Sequence, residues 1–217
     1  MAWKAIIFDF NGLIVDDEPI HYECFRRVLE EEEISLSESD YWEKYLGFDD
    51  KGLIEAVFER DQKKIGPKKL KTLIEKKASL YLPIIRQKLK FFPEVLSFVR
   101  KAKKGRHLAI VSGALRSEID FALAEGKVAD LFDVIISADD TKRGKPDPEG
   151  FLLALAKLKS LDGKIRPKNC LVLEDSQAGI QAARAVGMVV AALTHTYEAD
   201  QLKEADFVVK AFSEITL

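Results

Sequence analysis

The chain has 217 residues, 47% of them hydrophobic, and a formal net charge of −2 from 34 basic and 36 acidic side chains. That is enough apolar material for an α/β domain with an insert, and too balanced a charge to recruit nucleic acid or an anionic membrane; neither is an expected partner. Its two cysteines, Cys24 and Cys170, sit in helical and apolar patterns and read as packing residues in a reducing compartment.

The start runs into an apolar strand over 5–9 without the marks of a secretory signal, and no apolar stretch approaches the roughly 18 residues of a membrane helix. A cytoplasmic monomer is expected. Residues 17–87 then hold helical patterns (18–33, 38–46, 50–61, 67–88) and no strand. From 88 onward the pattern alternates. Helices are predicted at 93–104, 114–125, 148–160 and 176–186, and strands at 107–112, 133–137, 169–173, 188–193 and 206–209. Continuous apolar strands between helices require a parallel sheet covered on both faces. The fold class is therefore a doubly wound, Rossmann-like α/β core (1–16 and 88–217) interrupted by a small helical insert (17–87).

Ligands of such sheets bind beyond the carboxyl ends of the strands, and four clusters fall there. Asp9 ends the first strand, where a carboxylate caps the turn or acts as a nucleophile; Gly12 suits a tight turn beside a ligand. Ser112 and Gly113 follow the second strand and either cap the next helix or offer hydroxyl and amides to an anion. Lys145, in Gly144-Lys145-Pro146-Asp147-Pro148, is a solvated loop lysine or a neutraliser of phosphate. Glu174 and Asp175 end a further strand. Two adjacent carboxylates repel without a cation, and hard oxygen ligands suit Mg2+; the other reading is a helix cap by Asp175 or Ser176.

Together these stretches are similar to one family. Asp9-Phe10-Asn11-Gly12-Leu13-Ile14-Val15-Asp16 resembles the first motif of the haloacid-dehalogenase superfamily, and Ser112-Gly113-Ala114 the second. Lys145 in its Gly-Lys-Pro-Asp-Pro setting resembles the third. Leu173-Glu174-Asp175-Ser176-Gln177-Ala178-Gly179 resembles the fourth, in the form of the β-phosphoglucomutase-like branch. The resemblance implies a four-helix cap made by the insert. It also implies a magnesium-dependent phosphatase acting on a small phosphorylated metabolite through an aspartyl-phosphate on Asp9. Mg2+ would be held by Asp9, the Asn11 carbonyl and Asp175, with Glu174 behind, and the phosphoryl group by Ser112, Gly113 and Lys145.

The chain departs from that pattern at Asn11, where the branch carries a second aspartate that moves protons. An amide cannot do so. A substrate with a good leaving group, a substitute acid among Asp16, Asp17, Glu18 and His21, or a weakly catalytic phosphate-binding or regulatory role would each accommodate it. A phosphonate or carbon–halogen hydrolase of the same superfamily is the other alternative. The insert contributes Gly47-Phe48-Asp49-Asp50-Lys51, which looks like the branch's specificity loop. A mutase would carry an arginine near Asp50. Lys77 resembles a cap lysine that reaches the substrate, against a solvated helix lysine. His21 is either a site residue or a helix-surface residue.

Overall fold

The computed structural model of the protein describes residues 3–217; Met1 and Ala2, the first residues of the expected core segment, lie outside them. The predicted apolar runs form strands β1 (Ala5–Phe8), β2 (His107–Val111), β3 (Val134–Ile136), β4 (Cys170–Glu174), β5 (Val189–Leu193) and β6 (Phe207–Val209). They make one parallel sheet in the order β3-β2-β1-β4-β5-β6. Every residue of β1 and β4 is buried, as a central strand covered on both faces demands. β6 differs from the expected buried run: it is an edge strand, and Phe207 and Val208 are exposed.

The chain divides into two compact units, one formed by the residues up to Asp16 with Phe91–Leu217, the other by Asp17–Lys90. The second unit is helical: α1 (Glu18–Glu30), α2 (Glu38–Asp40), α3 (Asp50–Arg60) and α4 (Pro67–Lys88). The predicted helix over 38–46 is only partly α. Ser37 caps α2, and the chain then widens into a π-helical turn at Tyr41–Tyr45 that leaves both tyrosines buried. α1 packs on α4 through a stripe of His21, Cys24, Phe25, Val28 and Leu29, the spacing of one helix face. No helix among the described residues is long and apolar enough to cross a membrane.

In the sheet unit, α5 (Val95–Ala102), α6 (Arg116–Glu125), α7 (Glu149–Leu161) and α8 (Gln177–Ala185) link the strands. The period of two along β1 sends alternate side chains to opposite faces. Ala5 and Ile7 join the cluster built with α7 and α8, while Phe8 meets Phe98 of α5 and Phe132 edge-on at 6.1 and 5.7 Å. β1 is thus pinned on both faces, and the carboxylate that follows it is positioned by packing. Phe8→Ala is expected to cost about 3–5 kcal/mol, because it removes a fully buried ring from a closed cluster. Urea unfolding checks this; a loss near zero would show that β1 is not the anchor of the site.

Candidate active site

Strand register sets the level of each acidic residue. Phe8 pairs with both Ile110 and Leu173, so Asp9, Val111 and Glu174 lie at one height, with Ser112 and Asp175 one step beyond. The Asp9 N–H still donates to the Leu173 carbonyl at 2.9 Å, which keeps its backbone in the sheet. Lys145 enters from the loop after β3. Its Nζ lies 2.6 Å from Asp9 Oδ1 and 2.5 Å from Glu174 Oε1, over the Phe151 ring. It is therefore a part-buried bridge between two carboxylates, not a solvated loop lysine.

Glu174 and Asp175 escape repulsion by pointing to different partners. Glu174 Oε2 accepts the backbone N–H of Asp175 and Ser176 and the Ser176 hydroxyl, at 3.0, 2.9 and 2.8 Å. Asp175 accepts the Thr196 hydroxyl. The cap of α8 is Ser176, whose Oγ accepts from the Gly179 N–H, and this leaves Asp175 out of the capping role. Two glycines make room for the carboxylates. A Cβ at Gly12, whose φ is +70°, would overlap the Asp175 carboxylate, and a Cβ at Gly179 would overlap that of Glu174.

Burial pushes the Asp9 carboxyl up to about 7; Lys145 pulls it down and Glu174 pushes it further up. Burial also opposes the charge on Lys145, but Asp9 and Glu174 outweigh it and hold the ammonium above its usual range. Asp9, Glu174 and Asp175 offer oxygens that all lie within 4.8 Å of one another. A hard, all-oxygen donor set of that size fits Mg2+, whose charge would add to the pull of Lys145 on Asp9.

The Ser112 side of the site differs from expectation. Ser112 is buried at the end of β2, but α6 starts later than predicted, at Arg116. The Ala114 N–H is taken by Ser112 Oγ at 3.0 Å and the Leu115 N–H by Glu118 at 3.2 Å. Those two amides are committed within the loop, and Ser112 and Gly113, the residues expected to serve an anion, stand at the strand edge.

His21 and Lys77 belong to the helical unit, among its buried polar and aromatic side chains. Asp17 accepts the Tyr81 hydroxyl and lies 3.1 Å from His21 Nε2, and the His21 ring stacks on Tyr81. The Tyr41 hydroxyl donates to Glu18 at 2.5 Å. His21 is thus buried, not a helix-surface residue. Lys77 is fully buried, pairs with Asp50 at 2.9 Å and lies over the Phe25 and Tyr81 rings, so the solvated reading is corrected. Two residues beside the acidic loops escaped the sequence reading. His195 Nδ1 lies 3.1 Å from the Gly12 carbonyl, and Thr196 binds Asp175. Neither stands in a motif; the only signal was their place after β5, at the sheet's carboxyl edge.

The profile of the haloacid dehalogenase-like hydrolase family matches residues 6–193. The phosphorylated carbohydrates phosphatase of Thermotoga maritima is 29% identical over 85% of this chain and 82% of its own length. The CbbY protein of Rhodobacter capsulatus is 30% identical over 95% of this chain and 92% of its own. The crystal structure of β-phosphoglucomutase from Clostridium difficile superposes with a TM-score of 0.86 at 25% identity, covering 100% of this chain and 94% of that one.

Two outcomes follow from the site's geometry. Gly179→Ala drives a methyl group into Glu174 and is expected to destabilise the protein by about 1–3 kcal/mol in urea unfolding, the usual cost of overpacking; a neutral effect would contradict the arrangement. Without divalent metal, the raised Asp9 value means that the native state binds more protons than the unfolded chain between the ordinary carboxylate value of 3.8 and about 7. Stability from this group therefore falls as pH rises through that window. Asp9→Asn should flatten that part of the stability–pH curve, and an unchanged curve would remove Asp9 as its source.

Proposed function

The chain belongs to the haloacid dehalogenase-like hydrolase family over residues 6–193, and from that premise we propose that it is a magnesium-dependent phosphatase of a small phosphorylated metabolite, with Asp9 as nucleophile. The observation that carries this reading is the convergence on Asp9: Lys145 at 2.6 Å, with Glu174 and Asp175 close enough to share a cation. The names of its relatives, among them a phosphatase of phosphorylated carbohydrates and β-phosphoglucomutase, support the substrate class.

In this reading Asp9, the Asn11 carbonyl and Asp175 would hold Mg2+, which would supply positive charge against the phosphoryl oxygens. The Asp9 carboxylate gives a lone pair to phosphorus while the ester P–O bond breaks toward the leaving oxygen. Lys145 favours the ionised form of Asp9 and offers charge to the transferring group; Ser112 and Gly113 line the same edge. Water then attacks the phosphorus of the aspartyl-phosphate, the P–O bond to Asp9 breaks to restore the carboxylate, and the water's protons pass to the departing phosphate and to solvent. A mutase is disfavoured: the residue expected to grip a second phosphate is Asp50, whose charge pairs with Lys77.

Asn11 holds its place in the turn but moves no proton, so alkyl leaving groups depart slowly and acyl or anhydride leaving groups do not need the help. Asn11→Asp should raise turnover of alkyl phosphates by about 10²-fold or more, the size of one acid–base contribution. Rates are compared on protein whose Asn11 is confirmed intact by mass spectrometry, because Asn-Gly pairs deamidate. Equal rates for the two proteins would mean that Asn11 does not limit proton transfer. Trapping tests the nucleophile: acyl phosphate should leave a hydroxylamine-sensitive phosphoryl group on Asp9 that Asp9→Asn lacks. A wild-type protein that binds phosphate but never forms this adduct would be a binding module instead.

A further inference from the structure

We infer that His195 and Thr196, consecutive residues in the loop after β5, are positioning residues that fix the spacing of the two acidic loops of the site. The inference rests on Asp175 being a metal ligand, as proposed above.

The two side chains grip different loops. The Thr196 hydroxyl donates to Asp175 Oδ2. His195 Nδ1 lies 3.1 Å from the Gly12 carbonyl; a carbonyl only accepts, so Nδ1 carries the proton there. The imidazole is itself held, stacked on Phe92 with centroids 4.0 Å apart and planes 5° from parallel, and edge-on to Phe212 at 5.8 Å. Phe92 ties back to the same loop, its N–H donating to the Ile14 carbonyl at 3.1 Å.

Gly12 is thereby fixed at both ends: its N–H donates to the Val15 carbonyl at 3.0 Å, and its carbonyl meets His195. The peptide joining it to Asn11 carries the carbonyl assigned to the metal. A Cβ at Gly12 would also crowd the Thr196 hydroxyl, so the nucleophile loop, Asp175 and Thr196 meet at one point with no side chain between them. Two adjacent residues of a single loop therefore hold both halves of the donor set. Partners that orient metal ligands in this way are typically worth about 10–100-fold in affinity.

The test is Mg2+ titration by calorimetry, with urea unfolding of the metal-free proteins alongside. Thr196→Val keeps the shape but deletes the hydroxyl, and should weaken Mg2+ binding by about 10-fold or more, while Thr196→Ser restores it. His195→Phe keeps the stack on Phe92 but loses the donor and should also weaken binding; His195→Asn, whose amide stands in for Nδ1, should recover part of it. Wild-type affinity in Thr196→Val, or equal weakening in Thr196→Val and Thr196→Ser, would overturn the inference while leaving the metal site standing. Wild-type protein that binds no Mg2+ would overturn the metal reading and this inference with it. Should Thr196→Val not fold, the His195 pair decides by the same comparison.

Discussion

Lys145 reaches Asp9 and Glu174 at 2.6 and 2.5 Å, and all three side chains are largely or wholly withdrawn from water. With Asp175 included, three carboxylates face one ammonium, a formal sum of −3 and +1, or −2. Charges in a buried setting cost several kcal/mol each unless paired. Burial is the main cause of the rise of Asp9 to about 7, with Lys145 opposing it and Glu174 adding to it. A divalent cation would carry the charge that cancels the negative excess, so the proposed metal and the proposed nucleophile would be linked through one electrostatic balance.

Glu174 shows how the balance is kept rigid. One of its oxygens takes Lys145, and the other takes two backbone N–H groups and a hydroxyl. A carboxylate so fully engaged would have to release Lys145 to face a cation directly. Its chemistry is to anchor the ammonium that meets Asp9, and Gly179 exists at the start of α8 because any side chain there would displace it. The turn after β4 is thus built around a carboxylate's hydrogen bonds as much as around helix capping.

Most of the sheet could be read from the residues because buried parallel strands are continuous apolar runs, and Asp9, Glu174 and Asp175 stood out as charges ending such runs. What escaped had no local signature. Lys77 meets Asp50 and Phe25, both far from it in sequence, as well as Tyr81 one turn along its own helix. The π-helical turn at Tyr41–Tyr45 reflects the burial of two tyrosines within a helical pattern, and propensity does not distinguish it from a regular turn. His195 and Thr196 look like ordinary polar loop residues until β5 places them beside Gly12 and Asp175. The start of α6 shifted because Glu118 folds back on the Leu115 N–H, a competition between side chain and backbone that apolar periodicity does not encode.

Asn11 separates two properties that a carboxylate at that position would combine. An aspartate there would bring a proton carrier and a further negative charge to a loop in which Asp9 is already burdened by burial and by Glu174. The amide supplies neither, yet the turn itself survives. The Gly12 N–H still meets the Val15 carbonyl, and residues 11 and 15 still bridge. Retaining the turn preserves the backbone carbonyl that the proposed metal site uses, and removing the charge lessens the repulsion that the metal must offset. In the proposed reaction the loop would therefore keep what is needed to bind and to accept a phosphoryl group, and would give up what is needed to protonate a poor leaving group. Binding and attack would then remain strong while the identity of the leaving group decides the rate of the first step.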